Sequence, residues 1–174
     1  MTGSSRRTLG LIAALALFAV GNAHAATQPA TPPDAAVKAR TLSAAQRAAM
    51  AKDLARFAPV RADIIVFGDT KEITEFGAAV ADTLRQAGWR PKLWPIARGI
   101  AYGVVGVPIF ANGAGDDKAV EAAAALETDL RTARITAKKF QSFPEDTVMK
   151  EQFEAAWNEA DVADVRLFVG LKPE

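Results

Sequence analysis

Four consecutive apolar residues, Ile64-Ile65-Val66-Phe67, stand between Asp63 and the turn-forming pair Gly68-Asp69. A strand without polar alternation is buried on both faces, so the sheet containing it needs cover above and below. Helical cover follows at once. Ile73, Phe76, Gly77, Val80, Leu84 and Ala87 recur at helical spacing along one apolar face. Gly88 suits the left-handed residue that ends such a helix, with Trp89 placed to cover Leu84.

The alternation continues along the chain. Lys92 to Ile96 reads as a second strand and Gly103 to Phe110 as a third. Asp116 or Asp117 caps a helix running to Thr132, with Val120, Ala123, Leu126 and Leu130 on its apolar face. Thr136 to Phe143 is a fourth strand, and Met149, Phe153, Ala156, Trp157 and Ala160 mark another amphipathic helix. Val165 to Val169 closes the series, ended by Gly170 and Pro173. Upstream, Ser43 and Gln46 spell a capping box for a helix that Pro59 stops near Phe57; Asp69 and Glu72 spell another box. This order predicts an α/β fold, a mostly parallel sheet of four or five strands with helices on both faces. A ferredoxin-like α+β fold, β-α-β-β-α-β, is the alternative. Right-handed crossovers would set the first strand beside the third. Pro108 lacks a ladder donor, which predicts an edge position or a bulge for its strand.

The first 25 residues have a different character. Arg6-Arg7, the apolar run Leu9 to Val20 and Ala23-His24-Ala25 form a signal peptide, with cleavage expected between Ala25 and Ala26. Ser5-Arg6-Arg7-Thr8-Leu9 fits the twin-arginine route as well as ordinary secretion. The apolar run of 12 residues is short of the ~20 that span a bilayer. Residues 26–40, with Pro29, Pro32 and Pro33, read as a linker, leaving 41–174 as a single domain. These features imply a periplasmic or secreted protein with no membrane insertion after cleavage. Trimming 25 residues from 174 leaves 149, enough for one core.

Cleavage also removes His24, the chain's one histidine, and there is no cysteine. Histidine-based triads, thiol nucleophiles, disulfides and His/Cys metal sites are therefore excluded from the mature domain. Loss of Arg6 and Arg7 reduces 21 basic residues to 19 against 20 acidic ones, a net charge of about −1. That balance speaks against nucleic acid and anionic membrane surfaces as partners.

In a parallel sheet, ligands bind beyond the carboxyl ends of the strands, where strand order reverses. The loops expected there carry Gly68, Asp69, Thr70 and Lys71, and Asn112, Gly113, Gly115, Asp116 and Asp117. Asn112-Gly113-Ala114-Gly115 entering a helix would offer amides to an anion. It is neither a full Gly-x-Gly-x-x-Gly nor a P-loop, and Asp116-Asp117 would repel phosphate. Asp69, Asp116 and Asp117 together would suit a hard cation or acid-base work on a glycoside; N-capping accounts for them equally. No cofactor and no resident metal are expected. Ser142 beside Lys138 and Lys139 has the elements of a Ser-Lys dyad, and also of a solvated strand face. Trp94, Pro95, Arg98, Tyr102 and Phe143 are candidates for an exposed aromatic surface, while Trp89 and Trp157 fall on core positions.

Three segments together, Leu42-Ser43-Ala44-Ala45-Gln46, Leu84-Arg85-Gln86-Ala87-Gly88-Trp89 and Val169-Gly170-Leu171-Lys172-Pro173, resemble small exported or membrane-tethered bacterial α/β domains that are uncharacterised. The resemblance implies no activity and transfers no functional residue. Asp69 and Lys172-Pro173 look superficially like a phosphorelay receiver, but Asn112 stands where that fold needs its phosphoacceptor aspartate. The expectation is an exported, non-enzymatic module that binds a small molecule or a protein partner, a small polar ligand at the strand-end loops being one form. The alternatives are a carboxylate-dependent hydrolase, with or without a divalent cation, and a structural envelope or oligomerisation domain.

Overall fold

The computed structural model describes residues 39–96, 104–112, 117–140 and 162–173. Helix α1 (Ala44–Leu54) opens on the expected capping box: Ser43 Oγ accepts from Gln46 N at 3.2 Å, and Gln46 Oε1 accepts from Ser43 N at 2.8 Å. A 3-10 turn, Ala55–Phe57, ends it ahead of Pro59. Strand β1 (Arg61–Phe67) then leads to α2 (Lys71–Gln86) and β2 (Arg90–Ile96). After β3 (Val107–Ala111) come α3 (Asp117–Thr132), β4 (Ala137–Phe140) and β5 (Val165–Val169).

The five strands form one sheet in the order β2-β1-β5-β3-β4. β1 is parallel to β2 and β5, β3 is parallel to β4, and among the described residues only β3 with β5 is antiparallel. The mostly parallel α/β sheet is as expected, and the ferredoxin-like strand order is not formed. Two β-α-β units, β1-α2-β2 and β3-α3-β4, thus point in opposite directions on either side of β5.

This layout corrects two expectations. β3 is not beside β1, because β5, arriving from the far end of the chain, takes that place. Nor is Pro108 on an edge, since β3 lies between β5 and β4. Its ladder to β5 covers Ile109 to Ala111 and stops short of the proline. Pairing resumes beyond it, where Gly170 N donates to Gly106 O at 3.1 Å and Gly106 N donates to Leu171 O at 2.8 Å. Gly106 thus bonds to both Gly170 and Leu171, one residue out of step with the ladder, so of the two expected alternatives the strand takes a bulge-like irregularity near the proline and not the edge.

Edge prolines occur elsewhere. Arg90 N donates to Val60 O at 2.8 Å, so even-numbered positions of β2 face β1 and the nitrogens of Pro91 and Pro95 point away from it.

α1 packs on both α2 and α3, so the three helices form one layer. Alternate sheet residues meet that layer. Ala62, Ile64 and Val66 of β1, Leu167 and Val169 of β5, and Ile109 of β3 join Phe76, Val80, Leu84, Leu126 and Leu130 in one core. Gly77 lets α2 approach closely, for a Cβ there would lie 2.7 Å from Val66 Cγ2. On the opposite face Ile65 is fully buried too, as the unbroken apolar run demanded. The expected helix through Met149 and Ala160, with Trp157, falls outside the described residues, as do residues 1–38.

Both helices of the β-α-β units end in the same six-residue motif. Trp89 N donates to Leu84 O at 3.0 Å and Gly88 N to Arg85 O at 2.9 Å, with Gly88 at φ +80°. At the end of α3, Ile135 N donates to Leu130 O at 2.9 Å and Arg134 N to Arg131 O at 2.9 Å. Here a non-glycine, Arg134, takes the left-handed position at φ 63°. Trp89 is buried as expected, and its Nε1 donates to Leu54 O at 2.9 Å, tying the end of α1 to the start of β2.

Candidate functional site

Strand direction decides which loops can share a site. Asp69, Thr70 and Lys71 follow the carboxyl end of β1. Asn112 follows the carboxyl end of β3, where its N–H donates at 2.8 Å to the carbonyl of Asp164, the residue preceding β5. Because β3 is antiparallel to β5 and β5 is parallel to β1, Asn112 lies at the end where β1 begins. Asp117 belongs to that end as well, for the neighbouring Lys118 Nζ donates to Ala58 O at 3.2 Å, just ahead of β1. Among the described residues of the two expected loops, Asp69, Thr70 and Lys71 therefore lie at the opposite end of the sheet from Asn112 and Asp117. Asp69 and Asp117 cannot act on one cation or one glycosidic bond. Gly113, Gly115, Asp116 and Ser142 lie outside the described residues.

The α2 N-terminus is already occupied. Thr70 is its cap, with Oγ1 accepting from Ile73 N at 3.3 Å, one residue later than the Asp69 box expected from sequence. Glu72, the residue that should have completed that box, instead holds Arg40. The Arg40 guanidinium donates to Glu72 Oε1 at 2.7 Å through Nε and to Oε2 at 3.0 Å through Nη2. Nη2 also reaches Gly170 O at 2.7 Å, and the guanidinium carbon lies 4.9 Å from the Phe76 ring centre. This pairing holds the Glu72 carboxyl below its ordinary range. Arg40, expected to end the linker, is buried and belongs to the folded domain.

At the opposite end, a cleft of about 650 Å³ opens between the 3-10 turn after α1 and the first turns of α3. Phe57, Ala124 and Ala125 line it as an apolar surface, and Asp53, Arg56, Lys118 and Glu121 bring both charges to it. Arg56 Nη2 is 3.6 Å from Asp53 Oδ2, and its guanidinium carbon is 4.7 Å from the Phe57 ring centre. The size suits a small organic molecule. Sequence reasoning singled out none of these residues, because no local pattern marks them. Only the packing of α1 on α3 makes them neighbours.

The sheet face turned away from the helices carries a row across all five strands: Lys92, Asp63, Arg166, Phe110 and Phe140. Asp63 Oδ1 accepts from Trp94 Nε1 at 2.8 Å, and Oδ2 lies 3.5 Å from Arg166 Nη2. Burial pushes the Asp63 carboxyl above its ordinary value, against the pull of the Trp94 indole and the Arg166 guanidinium. Trp94 is buried, so it is not part of an exposed aromatic surface. The side chain of Pro95, and residues Arg98, Tyr102 and Phe143, lie outside the description. Phe67, Phe168, Phe110 and Phe140 form a chain of ring contacts at 5.1, 5.2 and 5.2 Å. Lys138 Nζ sits 5.2 Å from the centre of the last ring, within cation–π reach.

Among the described residues no helix is long and apolar enough to cross a membrane. Comparison of the chain with protein-family models, with curated proteins and with solved structures finds no match in any of the three.

Proposed function

We propose that the chain is an exported, non-enzymatic binding module that takes a small amphipathic molecule in the cleft between α1 and α3. Its amino-terminal Arg6-Arg7, apolar run and Ala23-His24-Ala25 direct it to the periplasm or outside the cell. One observation carries the binding reading. The cleft of about 650 Å³ joins an apolar patch at Phe57, Ala124 and Ala125 to charged groups of both signs. A ligand with a short apolar body and paired opposite charges, such as an amino acid or short peptide, matches that lining. The chemistry needs no nucleophile, in keeping with a mature chain that lacks imidazole and thiol.

NMR titration of the full chain with amino acids, dipeptides and neutral sugars tests this. Zwitterionic ligands should shift the Phe57, Lys118 and Glu121 resonances, and Glu121→Lys should weaken that response. Silence at all three positions with every ligand refutes the cleft as a binding site. A defined oligomer by light scattering together with that silence would favour a structural envelope role.

A further inference from the structure

Deeper in the same helix seam, Asp129 of α3 faces α1 from a setting that ill suits a charge. Its Oδ2 is buried with no protein hydrogen-bond partner. The space beside it, about 80 Å³, is lined by Gln46, Ala49, Met50, Thr132 and Ala133. Asp129 is half-buried as a whole, but an ionised carboxylate with one oxygen set against alanine and methionine without a donor is disfavoured, and such groups hold a proton more readily.

The charged neighbours sharpen that preference. From α1 comes Asp53, a like charge that disfavours ionisation, and from the 3-10 turn comes Arg56, which opposes it. Arg56 is already shared with Asp53 at 3.6 Å. On α3 itself, Glu127 and Arg131 pair with one another at 3.6 Å. Burial first and the Asp53 carboxylate second push Asp129 up to about 6.

We propose that the α1–α3 seam is an acid-responsive joint, closed most tightly when Asp129 carries a proton and loosened when it ionises. The inference goes beyond the binding reading and stands whether or not the cleft takes a ligand. Its sign follows from linkage. A carboxyl whose folded value is raised contributes its full stabilisation below the unfolded value of 3.8, and that contribution is lost by about pH 6. The joint therefore tightens on acidification through the range that extracytoplasmic compartments visit.

The test pairs a titration with a stability series on the full chain. The ¹³C carboxyl resonance of Asp129 should titrate well above that of an ordinary aspartate, and Asp53→Asn should move its midpoint down. Asp129→Asn mimics the protonated state. Relative to wild type, its folded-to-unfolded ratio should rise by at least about tenfold from pH 4 to pH 7, less than the full change from 3.8 to about 6 would give because the side chain is only partly buried. An Asp129 midpoint near 4, or an Asn variant no more favoured at pH 7 than at pH 4, overturns the proposal.

Discussion

Removal of the Arg40 side chain should destabilise the domain more than its position at the end of a proline-rich stretch suggests. The side chain is 4% exposed, and its partner Glu72 is 24% exposed. Arg40→Ala deletes a two-pronged ion pair, a charge-assisted bond to Gly170 O and the contact with the Phe76 ring. Breaking a buried pair by losing one partner costs roughly 3–5 kcal/mol. The partial exposure of Glu72 lets water reclaim its carboxylate, so the lower end, about 3 kcal/mol, is expected. For a domain of this size that corresponds to a fall in Tm of roughly 10 °C. Arg40→Lys should recover less than half of the loss, because an ammonium cannot reproduce the planar fork.

The same substitution has a pH signature. Arg40 depresses the Glu72 carboxyl, so its contribution is present above the unfolded value of 4.5 and is lost as pH falls through the lower folded value. Urea denaturation of wild type and variant at pH 7 and near pH 3 measures both effects. A difference under about 1 kcal/mol at pH 7, typical of a surface pair, or a gap that widens in acid, would refute the reasoning.

Three further substitutions separate local from tertiary effects. Thr70→Ala removes the α2 cap and should cost about 1 kcal/mol in chemical denaturation; no loss of stability would mean that the cap bond contributes nothing. Gly77→Ala should destabilise by roughly 1–3 kcal/mol through collision with Val66, despite alanine's better helix propensity. A neutral result by calorimetry would mean that Val66 moves aside freely. Arg134→Gly should stabilise by about 0.5–1 kcal/mol, because glycine adopts the left-handed backbone without the Cβ penalty at φ 63°. A loss of stability in that variant would show that the arginine side chain contributes more than its backbone costs.

Much of the architecture was legible because it is local. The unbroken Ile64–Phe67 run announced a strand covered on both faces, and its four residues are buried. Gly88-Trp89 announced a helix end whose bonds close within six residues. The Ser43–Gln46 box formed as written. Where a distant residue competed, the same signals failed. Glu72 had the spacing to complete a box with Asp69, but Arg40, 32 positions upstream, claimed it, and Thr70 became the cap. Pro108 marked a missing ladder donor correctly, but not that the strand would still lie inside the sheet.

The amino acids alone thus determined the elements, the helical stripes, the absence of imidazole and thiol beyond residue 25, and the α/β class. Only the tertiary structure decided that β5 would slot between the two β-α-β units and turn them in opposite directions. The relative direction of the two units depends on backbone pairing between residues 54 to 103 positions apart, and hydrophobic periodicity carries no sign for it. That one antiparallel ladder moved Asn112 to the opposite end of the sheet from Asp69. The ligand and the proton proposed above would therefore act at the seam where α1 meets α3, away from the ends of the strands.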